Sequence, residues 1–83
     1  HRISKFPATI GRSLENDVVL MHPSVSAKHA RIEEAGEGRY RIVDAGSTNG
    51  LYEGRAKKES VEIKGAVSLR VGAVWLDLRA AEE

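Results

Sequence analysis

Apolar and polar residues alternate along this chain in short bursts, and that period of two constrains the fold more than any other feature. Ala30 and Ile32 alternate with Arg31 and Glu33, and Tyr40 and Ile42 with Arg39 and Arg41. The pattern returns as Val67, Leu69 and Val71 against Ser68 and Arg70, then as Val74, Leu76 and Leu78 against Trp75 and Asp77. Successive side chains of a strand point to opposite faces of a sheet, so each burst reads as a strand with one buried face. Phe6 to Gly11, Val18 to Leu20 and Val61 to Ile63 add shorter strand candidates. Turn signals separate them at Ala35-Gly36-Glu37-Gly38, Gly46-Ser47-Thr48-Asn49-Gly50, Gly65 and Gly72. No segment sustains an apolar stripe with the 3.6-residue helical period; Arg79 to Glu83 is at most a frayed helical turn or the start of a linker. Many short strands with such punctuation predict an all-β sandwich.

At 83 residues the chain makes one domain over residues 1–83, small enough to bury only about 60 to 65% of its unfolded surface. It begins at His1 rather than Met, as expected of a module cut from a longer protein. Thirteen Lys and Arg stand against 12 Asp and Glu, a net charge of +1 with both signs scattered. That distribution argues against nucleic-acid binding through a broad basic face. The apolar runs fall far short of the roughly 18 residues of a membrane span, so no membrane insertion is expected. With no cysteine, neither disulfides nor thiolate metal sites can form, and a cytoplasmic location suits the composition. No cofactor is called for, and nothing in the pattern specifies an oligomeric state.

Three separated clusters hold donor-rich side chains at expected loops: Gly11-Arg12, Ser26-Ala27-Lys28-His29 and Ser47-Thr48-Asn49-Gly50. Together they suit one phosphate group. Arg12 is a permanent cation whose planar fork matches phosphate oxygens, and Ser26 and Thr48 offer short hydroxyl donors. Asn49 adds an amide with donors and an acceptor, able to hold a peptide backbone. Gly11 frees space for the backbone at a strand end. Ser26 sits in a loop opened by His22-Pro23-Ser24, from which both its hydroxyl and its amide are expected to face the phosphate; Ser24 reads as turn chemistry. Gly50 can take the positive φ of a tight turn.

Enzymatic readings fare worse. His29 lies three residues beyond Ser26, yet Gly-x-Ser-x-Gly is absent and no second domain is expected within these 83 residues to form a cleft. His22 and His29, seven apart without Cys or a helical His-Glu-x-x-His, are a poor zinc signature. No metal site is expected.

The order of the clusters resembles the forkhead-associated family of phosphothreonine-binding modules. The residues carrying the resemblance are Ala8-Thr9-Ile10-Gly11-Arg12-Ser13, Asn16-Asp17-Val18-Val19-Leu20, Val25-Ser26 with His29-Ala30, and Asp44-Ala45-Gly46-Ser47-Thr48-Asn49-Gly50, with a weaker echo at Leu69-Arg70-Val71-Gly72. It covers about residues 6–78. The resemblance implies two packed antiparallel sheets with the binding loops gathered at one end, a first strand only partly supplied by His1 to Lys5, and a phosphothreonine-bearing protein or peptide as partner. It further implies that Arg12, Ser26 and Thr48 hold phosphate, that Asn49 bridges to the ligand backbone, and that His29, Gly11 and Gly50 support the site. Ala27 stands where many relatives carry Arg, Lys or Asn, so one potential ligand contact is missing. Ser47, Lys28 and Arg55 remain secondary candidates; Arg55, Lys57 and Lys58 read either as a solvated loop or as contacts for acidic ligand residues. The expectation is a non-enzymatic module acting downstream of a Ser/Thr kinase, the alternative a phosphate-independent assembly domain on the same sandwich.

Overall fold

The computed structural model describes residue 3 and residues 5–79. Beyond Arg79, the expected helical turn or linker lies outside the described residues, as do residues 1, 2 and 4 of the expected partial first strand. Nine strands follow in order: β1 Ala8–Gly11, β2 Val18–Val19, β3 Ala30–Gly36, β4 Arg39–Asp44, β5 Leu51–Glu53, β6 Ala56–Lys58, β7 Ser60–Ile63, β8 Ala66–Val71 and β9 Val74–Arg79. They form a five-stranded sheet ordered β2-β1-β3-β4-β7 and a four-stranded sheet ordered β6-β5-β8-β9.

The alternation places the core. Ala8 and Ile10 of β1, Ile32 of β3, Ile42 of β4 and Val61 and Ile63 of β7 are buried from one sheet; Leu51 of β5 and Leu69 and Val71 of β8 are buried from the other. Their polar neighbours turn outward, as the pleat requires. Ile3 and Phe6 pack against this core ahead of β1, and the Phe6 ring lies 5.0 Å from that of Tyr40.

Three details depart from the expected architecture. The five-stranded sheet is not wholly antiparallel, because β2 runs parallel to β1, with Ile10 opposite Val18 and Gly11 opposite Val19. Asp17 makes this short return possible: its carboxylate accepts from the Thr9 amide at 2.8 Å and the Thr9 hydroxyl at 3.1 Å, while that hydroxyl accepts from the Asp17 amide at 3.1 Å. Next, β3 continues through the expected turn at Ala35 to Gly36, because a bulge between Glu34 and Gly36 carries the ladder on to Arg39 and Gly36 takes φ +140°. Last, residues 51–58 form a hairpin, with Leu51 opposite Lys58 and Glu53 opposite Ala56. Gly54 turns it at φ +61°. Lys57 and Lys58 therefore lie on a strand, and of the basic residues expected in a loop here only Arg55 remains in one.

Four of the connections at one end of the sandwich meet. The β1–β2 loop bonds the β2–β3 loop through Arg12 N to Ser26 O at 3.0 Å, and the β4–β5 loop reaches the same place through Ala45 N to His29 O at 2.9 Å. The β8–β9 turn joins through Gly72 N to Gly50 O at 3.2 Å.

Asp17 should mark this arrangement in the acid response. Its carboxyl is held below the ordinary 3.8, first by the Thr9 amide and then by the Thr9 hydroxyl. A carboxyl with a lowered folded value stabilises above its unfolded pKa and loses that contribution as pH falls through the folded one. Thermal melts of the parent and Asp17→Asn should therefore differ at pH 6, and the gap should close below pH 3.8.

Candidate functional site

The β1–β2 loop is set first by close backbone packing. Gly11 ends β1 so near the β2–β3 loop that a Cβ there would lie 2.2 Å from Ala27 O, a distance no side chain tolerates. Ser13 N donates to Ala27 O at 3.2 Å. Asn16 is buried, and its amide nitrogen donates to Ser13 O at 2.8 Å and to Ala27 O at 2.6 Å. Arg12 thus leaves a fixed stem with its own side chain exposed. The ion pairs among the described residues join Glu33 to Arg31 and Arg41, so no described carboxylate neutralises the guanidinium.

His29 ties the next two loops together. It is fully buried; Nδ1 accepts from the Ser26 amide at 3.0 Å, and Nε2 lies 2.7 Å from Gly50 O. An amide can only donate and a carbonyl can only accept, so the ring is the neutral form carrying its proton on Nε2. The Ser26 amide is therefore committed inward, contrary to the expectation that it faces a ligand. The Ser26 hydroxyl oxygen accepts from Thr48 N at 3.0 Å, which leaves its hydrogen free to donate.

The β4–β5 loop is a braced turn. Ser47 N donates to Asp44 Oδ1 at 3.0 Å, and Gly50 N donates to Ser47 Oγ at 2.9 Å; Gly50 takes φ +83°. The Ser47 hydroxyl is used in the turn. Asn49 Nδ2 donates to Ser24 O at 2.8 Å, so the side chain expected to reach a ligand also spans two loops, keeping its oxygen and second N–H available.

Ser24 does more than turn chemistry. Its hydroxyl accepts from Ala73 N at 2.8 Å and donates to His22 Nδ1 at 2.7 Å. At Gly72, φ +60°, a Cβ would meet Ser24 O at 2.4 Å. The β8–β9 turn is thereby pressed against the residue that holds Asn49. No sequence signal joins residues this far apart, and Gly72 reads in the sequence only as a turn.

These loops enclose an open cleft of about 290 Å³. Arg12, Ser26, Thr48 and Asn49 supply its polar wall, and Pro23, Val25 and Ala27 its apolar one. One guanidinium, two hydroxyls and an amide from three loops line it, a donor set suited to a compact oxyanion beside an extended backbone. Lys28 and Arg55 are exposed and do not line it. Among the described residues no cluster of three His, Cys, Asp or Glu can hold a metal, and no helix is long and apolar enough to cross a membrane.

A two-sheet sandwich with this loop cluster defines the class, and the chain belongs to the FHA domain family, whose model matches residues 8–74. FHA domains are interaction modules. The chain is similar to the FHA domain-containing protein FhaB of Mycobacterium tuberculosis, 36% identical over 78 residues, which are 93% of this chain and 50% of that protein. It thus spans about half the length of that curated relative. The crystal structure of Mycobacterium tuberculosis Rv1747 FHA-1 superposes with a TM-score of 0.87 at 29% identity, over 96% of this chain and 84% of that one. Mycobacterium tuberculosis EmbR, solved in complex with a low-affinity phosphopeptide, gives a TM-score of 0.75 at 28% identity, covering 92% of this chain and 20% of that one.

Two substitutions test the loop framework. His29→Ala leaves the Ser26 amide unpaired and the Gly50 carbonyl with only the Gly72 amide, beside a cavity, which should cost about 2 to 5 kcal/mol in urea unfolding. Gly72→Ala combines a clash with a positive φ, and should cost about 1 to 3 kcal/mol in the same assay.

Proposed function

We infer that this domain docks onto proteins carrying phosphothreonine. Arg12 supplies charge, the Ser26 and Thr48 hydroxyls complete the hydrogen-bond shell, and Asn49 takes the peptide backbone. The observation that carries this reading is the convergence of Arg12, Ser26, Thr48 and Asn49 on one cleft. A phosphothreonine carries about −1.5 to −2 charges and three acceptor oxygens, so its receptor must combine charge with directed donors. The Ser26 hydroxyl oxygen ties two loops through Thr48 N, but its free hydrogen and the exposed Arg12 guanidinium, without an ionic partner among the described residues, serve no bond within the domain. A phosphate-independent assembly domain would have no need of either. EmbR, a relative bound to a phosphopeptide, supports the same ligand class. Such a module acts downstream of a Ser/Thr kinase, and a cytoplasmic setting accords with that role.

Val25 lies buried at the cleft wall with Pro23 beside it, an apolar surface for the threonine methyl. One buried methyl is worth about 0.8 kcal/mol, or roughly four-fold in affinity.

Fluorescence anisotropy with peptides selected from an oriented phosphothreonine library tests the assignment. Arg12→Ala should weaken binding about 30-fold or more, since a charge-assisted contact is worth about 2 to 3 kcal/mol, while its unfolding curve matches the parent. Phosphothreonine should outbind phosphoserine about four-fold, and Asp or Glu should not substitute, being planar and singly charged. Equal titrations for parent and Arg12→Ala would defeat the reading.

A further inference from the structure

The outer face of the four-stranded sheet carries a row of side chains unconnected with the core. β6, β5, β8 and β9 lie side by side, and the register sets Lys57 opposite Tyr52, Tyr52 opposite Arg70 and Arg70 opposite Trp75. The sequence neighbours Leu51, Leu69 and Val71 are buried, so this row points away from the core. The Arg70 guanidinium lies 4.3 Å from the Tyr52 ring centroid and donates to Gly72 O at 3.1 Å. Trp75 closes the row, 61% exposed.

At its other end the row reaches the cleft. Lys57 leans over the β4–β5 loop, its Cε 2.7 Å from where a Gly50 Cβ would sit, and Gly50 follows Asn49 of the cleft wall. The row holds two cations and no carboxylate, and neither cation is ion-paired among the described residues. The remaining charges on this face of β9, Asp77 and Arg79, offset each other, and Asp77 accepts the Ser68 hydroxyl. Trp, Tyr and Arg are the residue types that most often dominate binding energy at protein interfaces.

We propose that this row is a second docking surface for the phosphorylated partner, taking an acidic segment that leaves the cleft past Asn49. The proposal rests on the phosphothreonine reading of the cleft. Three interstrand spacings make the row about 14 Å long, a span covered by four or five extended residues. Carboxylates meet Lys57 and Arg70 along it, and Trp75 packs against the far end.

The chain has one tryptophan, so its emission reports on this face while anisotropy reports on total binding. The probe is a library-selected phosphothreonine peptide, bare or extended at either terminus by four Glu or four Gln. The Glu extension at one terminus should tighten binding about five-fold at low salt and shift Trp75 emission. Lys57→Gln should lose most of that gain and bind the bare peptide as the parent does. No gain at either terminus, an equal gain from Gln, a gain retained by Lys57→Gln, or unchanged emission would overturn the proposal. Self-association abolished by Trp75→Ala would also overturn it, assigning the face to a second copy. Failure of the bare peptide to bind would remove the phosphothreonine reading and this proposal together; success of the bare peptide with no effect of extension removes only this one.

Discussion

One buried imidazole holds the functional end of the molecule together. His29 accepts from a main-chain amide of the β2–β3 loop and faces a carbonyl at the start of β5, so it joins loops that belong to the two different sheets. Both bonds are satisfied only by the neutral ring with its proton on Nε2. Because the ring is fully buried, water cannot replace either bond if it is lost, whereas the side-chain ties that join the same loops, Thr48 N to Ser26 Oγ and Asn49 Nδ2 to Ser24 O, are exposed. The Ser26 hydroxyl inherits its direction from this arrangement: its amide is drawn to His29, its oxygen accepts from Thr48 N, and its hydrogen is left for the cleft.

Backbone packing does the rest of the ordering. Gly11 presses against Ala27, and Gly72 against Ser24, at separations where a Cβ would overlap main-chain atoms. The loops that carry the cleft are therefore packed main chain against main chain, and the Ser26 and Asn49 side chains are fixed by internal bonds. These two side chains are thus ordered ahead of any ligand, which lowers the entropic cost of binding. Arg12 differs: its stem is fixed while its side chain remains exposed.

The sequence made these features legible to different degrees. Strands β3, β4, β8 and β9 were plain because each alternates over several residues and buries one face. β6 was not, since Ala56, Lys57 and Lys58 are all exposed and bury nothing that a pattern could report. The parallel β1–β2 pair was hidden for another reason: it depends on the Asp17–Thr9 bonds rather than on any periodicity. Arg12, Ser26, Thr48 and Asn49 were visible as donor-rich clusters in loops, and the fold brings them to one cleft. Ser24 was undervalued, because its partners Asn49 and Ala73 lie in other loops and no local spacing connects them.

Those same constraints divide the surface of the domain. Inner-face residues are fixed by core packing, and the loop residues by their mutual bonds; the outer face of the four-stranded sheet answers to neither. Arg70 could be replaced there by a shorter polar residue without opening the core, and Trp75 gains little by standing largely in water. Single exposed aromatics are common and need no explanation. A Trp, an Arg and a Tyr in successive register, ending on a lysine that leans over the cleft loop, are less readily explained by chance exposure. Ordering Arg70 between the Tyr52 ring and the Gly72 carbonyl restricts a flexible side chain in advance, as at a surface prepared for contact. Since Gly72 also presses on Ser24, which holds Asn49, that face and the cleft share a mechanical connection through the β8–β9 turn.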